Sequence, residues 1–293
     1  MKFGTIQIGG TTTAARVDAE GGWVWPLVRN DTGGPVEILD VITAGYDLAS
    51  GPMRESSSLP LRQVKFEAPI PRPRRNIICI GKNYREHARE FSRSGFDTST
   101  AAPPDSVPVA PIIFTKYPET VIGPGAPIHY PRGVSESLDY EAELAVIIGT
   151  GGRAIRAADA YAHVWGYTIV NDVTARDLQA RHQQWFLGKS LDGFCPMGPW
   201  AVTADAIDPG NIDIRCWVNE ELRQSANSRD LIFDIPLLIE TISAGITLQP
   251  GDIIATGTPS GVGIGLSPPR FLHPGDLITI EIDGIGRLKN VVA

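Results

Sequence analysis

The sequence predicts an α+β protein, mainly β, in which a small N-terminal domain precedes a larger one. The 31 glycines and 24 prolines of the 293-residue chain cut it into many turns and short apolar runs, the pattern of short strands rather than long helices. The segment Pro69-Ile70-Pro71-Arg72-Pro73 is a stiff, extended connector of the kind that joins domains. It divides the chain into residues 1–72 and residues 73–293.

In the first unit, Phe3 to Ile8 and Ala14 to Val17 read as strands, with Gly9-Gly10 and Gly21-Gly22 as turns. Residues 37–49 read as a helix with Ile38, Val41 and Ile42 on one face. No chemistry is legible there, and the role expected is packing or subunit contact. After the connector, Asn76 to Ile80 is a short buried strand ended by Gly81, and Lys82 to Phe91 has helical character. Residues 92–111, with Ser94-Gly95, Pro103-Pro104 and Pro108, lack periodicity and read as disorder or a lid. Strands follow at Pro111 to Lys116, Trp165 to Val170 and Ile212 to Val218, with a turn at Gly123-Pro124-Gly125, a short helix from Ala157 to His163, and a hairpin turn at Asn219-Glu220-Glu221. Asp234 caps a helix whose apolar residues Ile235, Leu238, Ile239 and Ile242 recur every three to four positions, ended by Gly245. Pro250-Gly251-Asp252 turns into Ile253 to Ala255, and residues 274–292 read as a hairpin.

The stretch Leu138 to Gly149 organises the chemistry. Its apolar second half reads as a buried strand, on which Glu141 and Glu143 share a face roughly 6–7 Å apart. Two carboxylates entering an apolar strand need a cation, basic partners or protonation, unless the strand is an edge with both acids in water. Asp172 ends a second apolar strand and is either a helix N-cap or a group placed for chemistry. Arg176 and Gln179, at i+4 and i+7 from it, lie on one helical face and can hold a carboxylate ligand. His87 and Glu90, three apart, are either a solvated pair or a carboxylate-oriented general base. Lys189, among bulky apolar residues, is a surface lysine or a partly desolvated cation beside an anionic site. The loop 256–263 is rich in glycine and hydroxyls, so its N–H groups and the Thr258 hydroxyl can approach an anion, without matching a phosphate-binding P-loop.

Composition narrows the partners. A net charge of −7 and the absence of basic runs argue against nucleic acid and membrane surfaces. No apolar run approaches the roughly 20 residues of a membrane span, and no signal-peptide core follows Met1. Cys79, Cys195 and Cys216 have no metal-ligand spacing and fit a reducing cytoplasm. A nucleophilic Cys195 is an alternative that lacks a recognisable histidine partner.

Five motifs occur in order between about Arg72 and Val292: Gly81-Lys82-Asn83-Tyr84 with His87 and Glu90; Asp139-Tyr140-Glu141-Ala142-Glu143-Leu144; Asn171-Asp172-Val173-Thr174-Ala175-Arg176-Asp177; Gly188-Lys189-Ser190; and Gly251 to Pro259. Together they resemble the fumarylacetoacetate hydrolase superfamily. The resemblance implies a mixed β-roll catalytic domain, a variable N-terminal domain and a homodimer. It implies one divalent cation, Mg²⁺, Mn²⁺ or Ca²⁺, on Glu141, Glu143 and Asp172, which suits hard oxygen ligands. His87 and Glu90 match the family's water-activating dyad on a mobile lid, Lys189 its active-site lysine, and Arg176, Gln179 and Thr258 its substrate contacts. The largest member has a further aspartate ligand upstream; Asn83 and Tyr84 stand in that region here, so a water fills the position.

The activity this implies is hydrolysis of a carbon–carbon bond in an acylpyruvate such as maleylpyruvate or fumarylpyruvate, a reaction of aromatic catabolism that releases pyruvate from a keto-acid substrate. Two alternatives use the same enolate chemistry: decarboxylation of oxaloacetate, and isomerisation of a hydroxymuconate-type acid by proton transfer alone. A non-catalytic metal- or carboxylate-binding protein is the alternative of another class.

Overall fold

The computed structural model describes residues 1–44, 48, 51–97 and 107–293. The end of the helix expected over residues 37–49, and residues 98–106 of the segment expected as disorder or a lid, lie outside the described residues. Among those described, strands form one 13-stranded sheet, a four-stranded sheet and a two-stranded ribbon. No helix among them is long and apolar enough to cross a membrane.

The strand Ala142–Ile148 sits in the middle of the large sheet, antiparallel to Val164–Asn171 on one side and to Ile253–Ala255 on the other. Its alternation sorts its residues between two cores. Leu144, Val146 and Ile148 pack with Ile214, Ile280 and the helix residues Leu238 and Ile239, while Ala145 and Ile147 pack with Phe3, Leu27 and Val41. Burial on both faces explains why this stretch reads as continuously apolar. Beyond Ile253–Ala255 the sheet continues through parallel Ile77–Gly81 to Ile112–Lys116 at its edge. The second sheet, in the order Glu221–Asn227, Asp213–Val218, Leu277–Ile282 and Gly286–Val291, closes over the first core.

Residues of the first unit share this hydrogen-bonded framework. Lys2–Ile8 pairs with Cys195–Thr203, placing Lys2 opposite Val202 and Phe3 opposite Ala201. Pro196 and Pro199 in Cys195–Thr203 cannot donate to a ladder, so the local sequence disfavours a strand there. The segment is nevertheless held between Lys2–Ile8 and Val164–Asn171, so tertiary pairing overrides the local signal.

Other boundaries differ locally. The helix near residue 38 spans Ile38–Ala44 among described residues. The helix expected from Lys82 begins only at Arg85, and Lys82 itself lies in the left-handed region at φ 54°. Asp172 is not an N-cap: Thr174–Ala175 pairs with Leu138–Asp139, and the helix Arg176–His182 starts after Ala175. The turn at Asn219, φ 58°, opens the expected hairpin.

Gly166 marks the tightest contact between the central strands. A Cβ there would lie 2.0 Å from the Val202 carbonyl oxygen, which is backbone and cannot swing aside. Gly166→Ala should lower unfolding free energy by about 2–3 kcal/mol, read as a reduced urea midpoint with unchanged slope.

Candidate active site

The acids expected to share a face converge. Glu141 and Glu143 enter and begin the central strand, and Asp172 follows the neighbouring strand Val164–Asn171. One ligand oxygen from each lies within 4.8 Å of the others, and all three side chains are buried. Three hard oxygen donors at this spacing, out of water, suit a divalent cation such as Mg²⁺ or Mn²⁺.

Basic groups hold the acids in place. Lys189 Nζ donates to Glu141 Oε2 at 2.7 Å and to Asp172 Oδ2 at 2.8 Å, so it is a buried cation and not a surface lysine. Arg176 Nη1 meets Glu141 Oε1 at 2.7 Å, and its Nε donates to Asp139 Oδ2 at 2.9 Å. Lys116, which ends the edge strand, donates to Asp172 Oδ1 at 2.6 Å, to the Val173 carbonyl at 3.0 Å and to the Lys189 carbonyl. Gly257 N donates to Glu143 Oε2 at 2.9 Å from a backbone at φ 105°, which an L side chain rarely adopts.

The electrostatics divide the two glutamates. Burial opposes ionisation of Glu141, but Lys189 and Arg176 outweigh it and hold its pKa at about 2. Burial, then the charges of Asp172 and Glu141, push Glu143 well above the ordinary carboxylate range. Burial opposes the charge on Lys189, and the neighbouring Asp172 and Glu141 more than restore it. Four buried carboxylates, Asp139, Glu141, Glu143 and Asp172, thus face three buried cations, Lys116, Arg176 and Lys189. That leaves one surplus negative charge for a cation to neutralise.

Beside the acids, a pocket is lined by His87, Lys82, Arg176, Gln179, Lys189 and Thr258 together with aromatic side chains. The space within it is about 10 Å³, room for about one water-sized sphere. His87 and Glu90 lie on the helix Arg85–Arg93, with His87 Nδ1 3.2 Å from Glu90 Oε2. Glu90 Oε1 accepts from Gly261 N at 3.0 Å. With Nδ1 engaged, Nε2 is the imidazole nitrogen left for a ligand. Gln179 Oε1 accepts from Arg176 Nη1 at 3.2 Å, while Arg176 Nη2 is buried without a hydrogen-bond partner. An orphaned guanidinium N–H in a pocket wall suits a ligand carboxylate.

Every expected site residue therefore reaches one locus, and the structure adds others. Lys116 is signalled only by a lysine ending an apolar strand. Asp139 accepts from Arg176, Tyr140 N, Gly263 N and Ile264 N, and so ties the arginine to the loop after Thr258. Gln224 donates to Thr258 Oγ1 at 2.7 Å and accepts from Ala142 N at 3.0 Å, leaving the Thr258 O–H proton for another acceptor. Asn83 is no substitute metal ligand: its side chain bonds the Phe233 and Thr256 carbonyls and the Phe233 N–H. Burial raises the Cys195 thiol to about 12, which removes it as a nucleophile at neutral pH.

Residues 76–293 match the family described as fumarylacetoacetate (FAA) hydrolase, C-terminal. The chain belongs to the fumarylacetoacetate hydrolase family. Its mainly β fold is that family's fold. Oxaloacetate tautomerase YisK from Bacillus subtilis is 54% identical over 233 residues, covering 79% of this chain and 74% of the relative. The solved fumarylacetoacetate hydrolase of Exiguobacterium antarcticum is 40% identical with a TM-score of 0.80, covering 100% of this chain and 99% of that one. A maleylpyruvate hydrolase from Sphingobium sp. SYK-6, solved with manganese(II) and pyruvate, is 31% identical with a TM-score of 0.76 over 100% of this chain and 99% of that one.

Relieving the surplus charge should be measurable. Glu143→Gln should raise the melting temperature of metal-stripped protein, because it removes a carboxylate facing two others, and should abolish the stabilisation that Mg²⁺ gives the wild type. Lys116→Met should destabilise the stripped protein by about 3 kcal/mol, since it leaves Asp172 buried beside one cation fewer, in chemical denaturation.

Proposed function

We propose that this family member is a divalent-metal-dependent oxaloacetate tautomerase, interconverting the keto and enol forms of a 2-oxo acid by proton transfer. The proton-transfer alternative is favoured over the carbon–carbon hydrolysis expected from the motifs by the 54%-identical tautomerase. The observation that carries the reading is His87, held by Glu90 in the wall of the pocket that Glu141 also lines.

Glu141, Glu143 and Asp172 would hold a divalent cation, which would supply Lewis acidity to a bound 2-oxo acid. Arg176, through its orphaned Nη2, and the Thr258 hydroxyl donate to the substrate's carboxylate, with Gln179 steadying the guanidinium. His87 Nε2 takes a proton from C3 and returns it at the C2 oxygen, and the Glu90 carboxylate stabilises the imidazolium formed between the two transfers. Lys189 keeps positive charge beside the oxygen where negative charge develops. The protein works on a small keto acid, as a homodimer in the cytoplasm. Acylpyruvate hydrolysis is the second reading, favoured by the manganese- and pyruvate-bound maleylpyruvate hydrolase; His87 then takes its proton from water.

The test strips the protein with EDTA, resupplies Mg²⁺ or Mn²⁺, and follows keto–enol exchange of oxaloacetate alongside pyruvate release from acylpyruvates. Metal-dependent exchange that falls about 10²–10⁴-fold in His87→Ala and is lost in Glu141→Ala supports the tautomerase. Pyruvate release from an acylpyruvate without exchange establishes the hydrolase, and silence on every substrate rejects both.

A further inference from the structure

We propose that Gln224 is a positioning residue that makes the Thr258 hydroxyl an obligate hydrogen-bond donor into the pocket, so that the site selects a ligand oxygen able to accept. The inference rests on the reading above for its ligand, the carboxylate of a 2-oxo acid. Gln224 belongs to the strand Glu221–Asn227 of the second sheet and is fully buried, and it does not itself line the pocket.

Both ends of its amide are assigned by partners whose roles cannot be exchanged. Ala142 N can only donate, so the side-chain atom 3.0 Å from it is the oxygen, Oε1. The Pro259 carbonyl can only accept, so the atom 2.8 Å from it is the nitrogen, Nε2. The remaining Nε2 hydrogen goes to Thr258 Oγ1 at 2.7 Å. A hydroxyl that accepts from an amide N–H must send its own single hydrogen elsewhere. Among the described residues no group accepts it. Thr258 is buried in the wall of the pocket that His87, Glu141, Arg176 and Lys189 also line.

The chain on either side of the hydroxyl is tied to the strand that carries the acids. Thr256 Oγ1 donates to the Leu144 carbonyl at 2.9 Å, and Gly257 N donates to Glu143 Oε2 at 2.9 Å. Asn83 Nδ2 holds the Thr256 carbonyl at 2.7 Å. Gln224 then bridges the same strand, at Ala142 between the two glutamates, to Thr258 and Pro259. Backbone bonds therefore place the hydroxyl beside the acidic cluster, and the Gln224 amide sets its polarity. A carboxylate oxygen meets a donor there, whereas a ligand N–H meets a second donor and leaves it unpaired.

The experiment measures pyruvate binding by titration calorimetry at saturating Mg²⁺ in wild type, Gln224→Met, Thr258→Val and the double variant. Thr258→Val should weaken binding about tenfold and Gln224→Met about fivefold. The double variant should bind within about twofold of Thr258→Val alone, because Gln224 acts through that hydroxyl. Wild-type affinity in Gln224→Met overturns the inference, as do losses that multiply in the double variant, the result a purely structural role would give. Either leaves the tautomerase reading standing. A wild type that binds pyruvate but exchanges no oxaloacetate overturns that reading alone, and one that binds no pyruvate overturns the inference. If Gln224→Met does not fold, Gln224→Glu carries the test, since its side chain still accepts from Ala142 N. Protonated, the introduced acid donates as the amide does; ionised, it accepts from Thr258 and turns the hydroxyl away from the ligand. Pyruvate affinity relative to wild type should then fall as the pH rises, and the fall should vanish in the Thr258→Val background. A constant ratio, or a fall that persists in that background, counts against the proposal.

Discussion

The buried charge balance around Glu141 constrains everything else in the site. Each carboxylate removed from water costs several kcal/mol unless a cation and hydrogen bonds replace its hydration. Lys116, Arg176 and Lys189 provide most of that replacement, and backbone N–H groups of Gly257, Gly263 and Ile264 provide the rest. The three cations fall one charge short of the four carboxylates. Glu143, which receives a backbone donor but no ion pair among the described residues, is where the deficit appears as a raised pKa. Glu143 is therefore the position at which a cation would complete the charge balance.

Such a balance requires groups from distant parts of the chain. Lys116 comes from the sheet edge, Glu141 and Glu143 from its middle, and Asp172 from the end of the adjacent strand. Lys189 closes a short helix at Phe186–Lys189, and Arg176 opens another. The two packed cores on either face of Ala142–Ile148 hold these ends in register, so polar groups are fixed in advance rather than ordered by the ligand. His87 and Glu90 stand apart on their own helix, tied to the rest through Gly261 and an aromatic contact between Phe91 and Trp185 at 5.8 Å. The acid cluster and the His87–Glu90 pair are thus built on different elements and meet across one narrow pocket.

Much of this was legible before folding because it depends on short spacings. The i, i+2 relation of Glu141 and Glu143 and the i, i+3 relation of His87 and Glu90 are set by strand and helix geometry alone. The apolar alternation of Ala142–Ile148 and the helix around Leu238 and Ile239 are equally local. What the sequence concealed was partnership. Lys116 and Asp172 are 56 positions apart, and no local pattern says which buried acid a strand-end lysine will meet. A helix cap stayed open as one of two readings of Asp172 because the short pairing of Thr174–Ala175 with Leu138–Asp139, which delays the helix, is long-range.

The sequence by itself determined the acidic, histidine and lysine inventory, the mainly β class and the family, since ordered motifs and periodicities survive without coordinates. Tertiary structure alone decided that Cys195–Thr203, with its two prolines, is a strand between two others, and that Arg176 spends its guanidinium on Asp139 and Glu141 while one N–H stays unpartnered. It also decided that Lys82 belongs to the pocket. The physical reason is the same in each case: burial and pairing are properties of groups brought together across the chain, and their free energies appear only when the whole core closes around them.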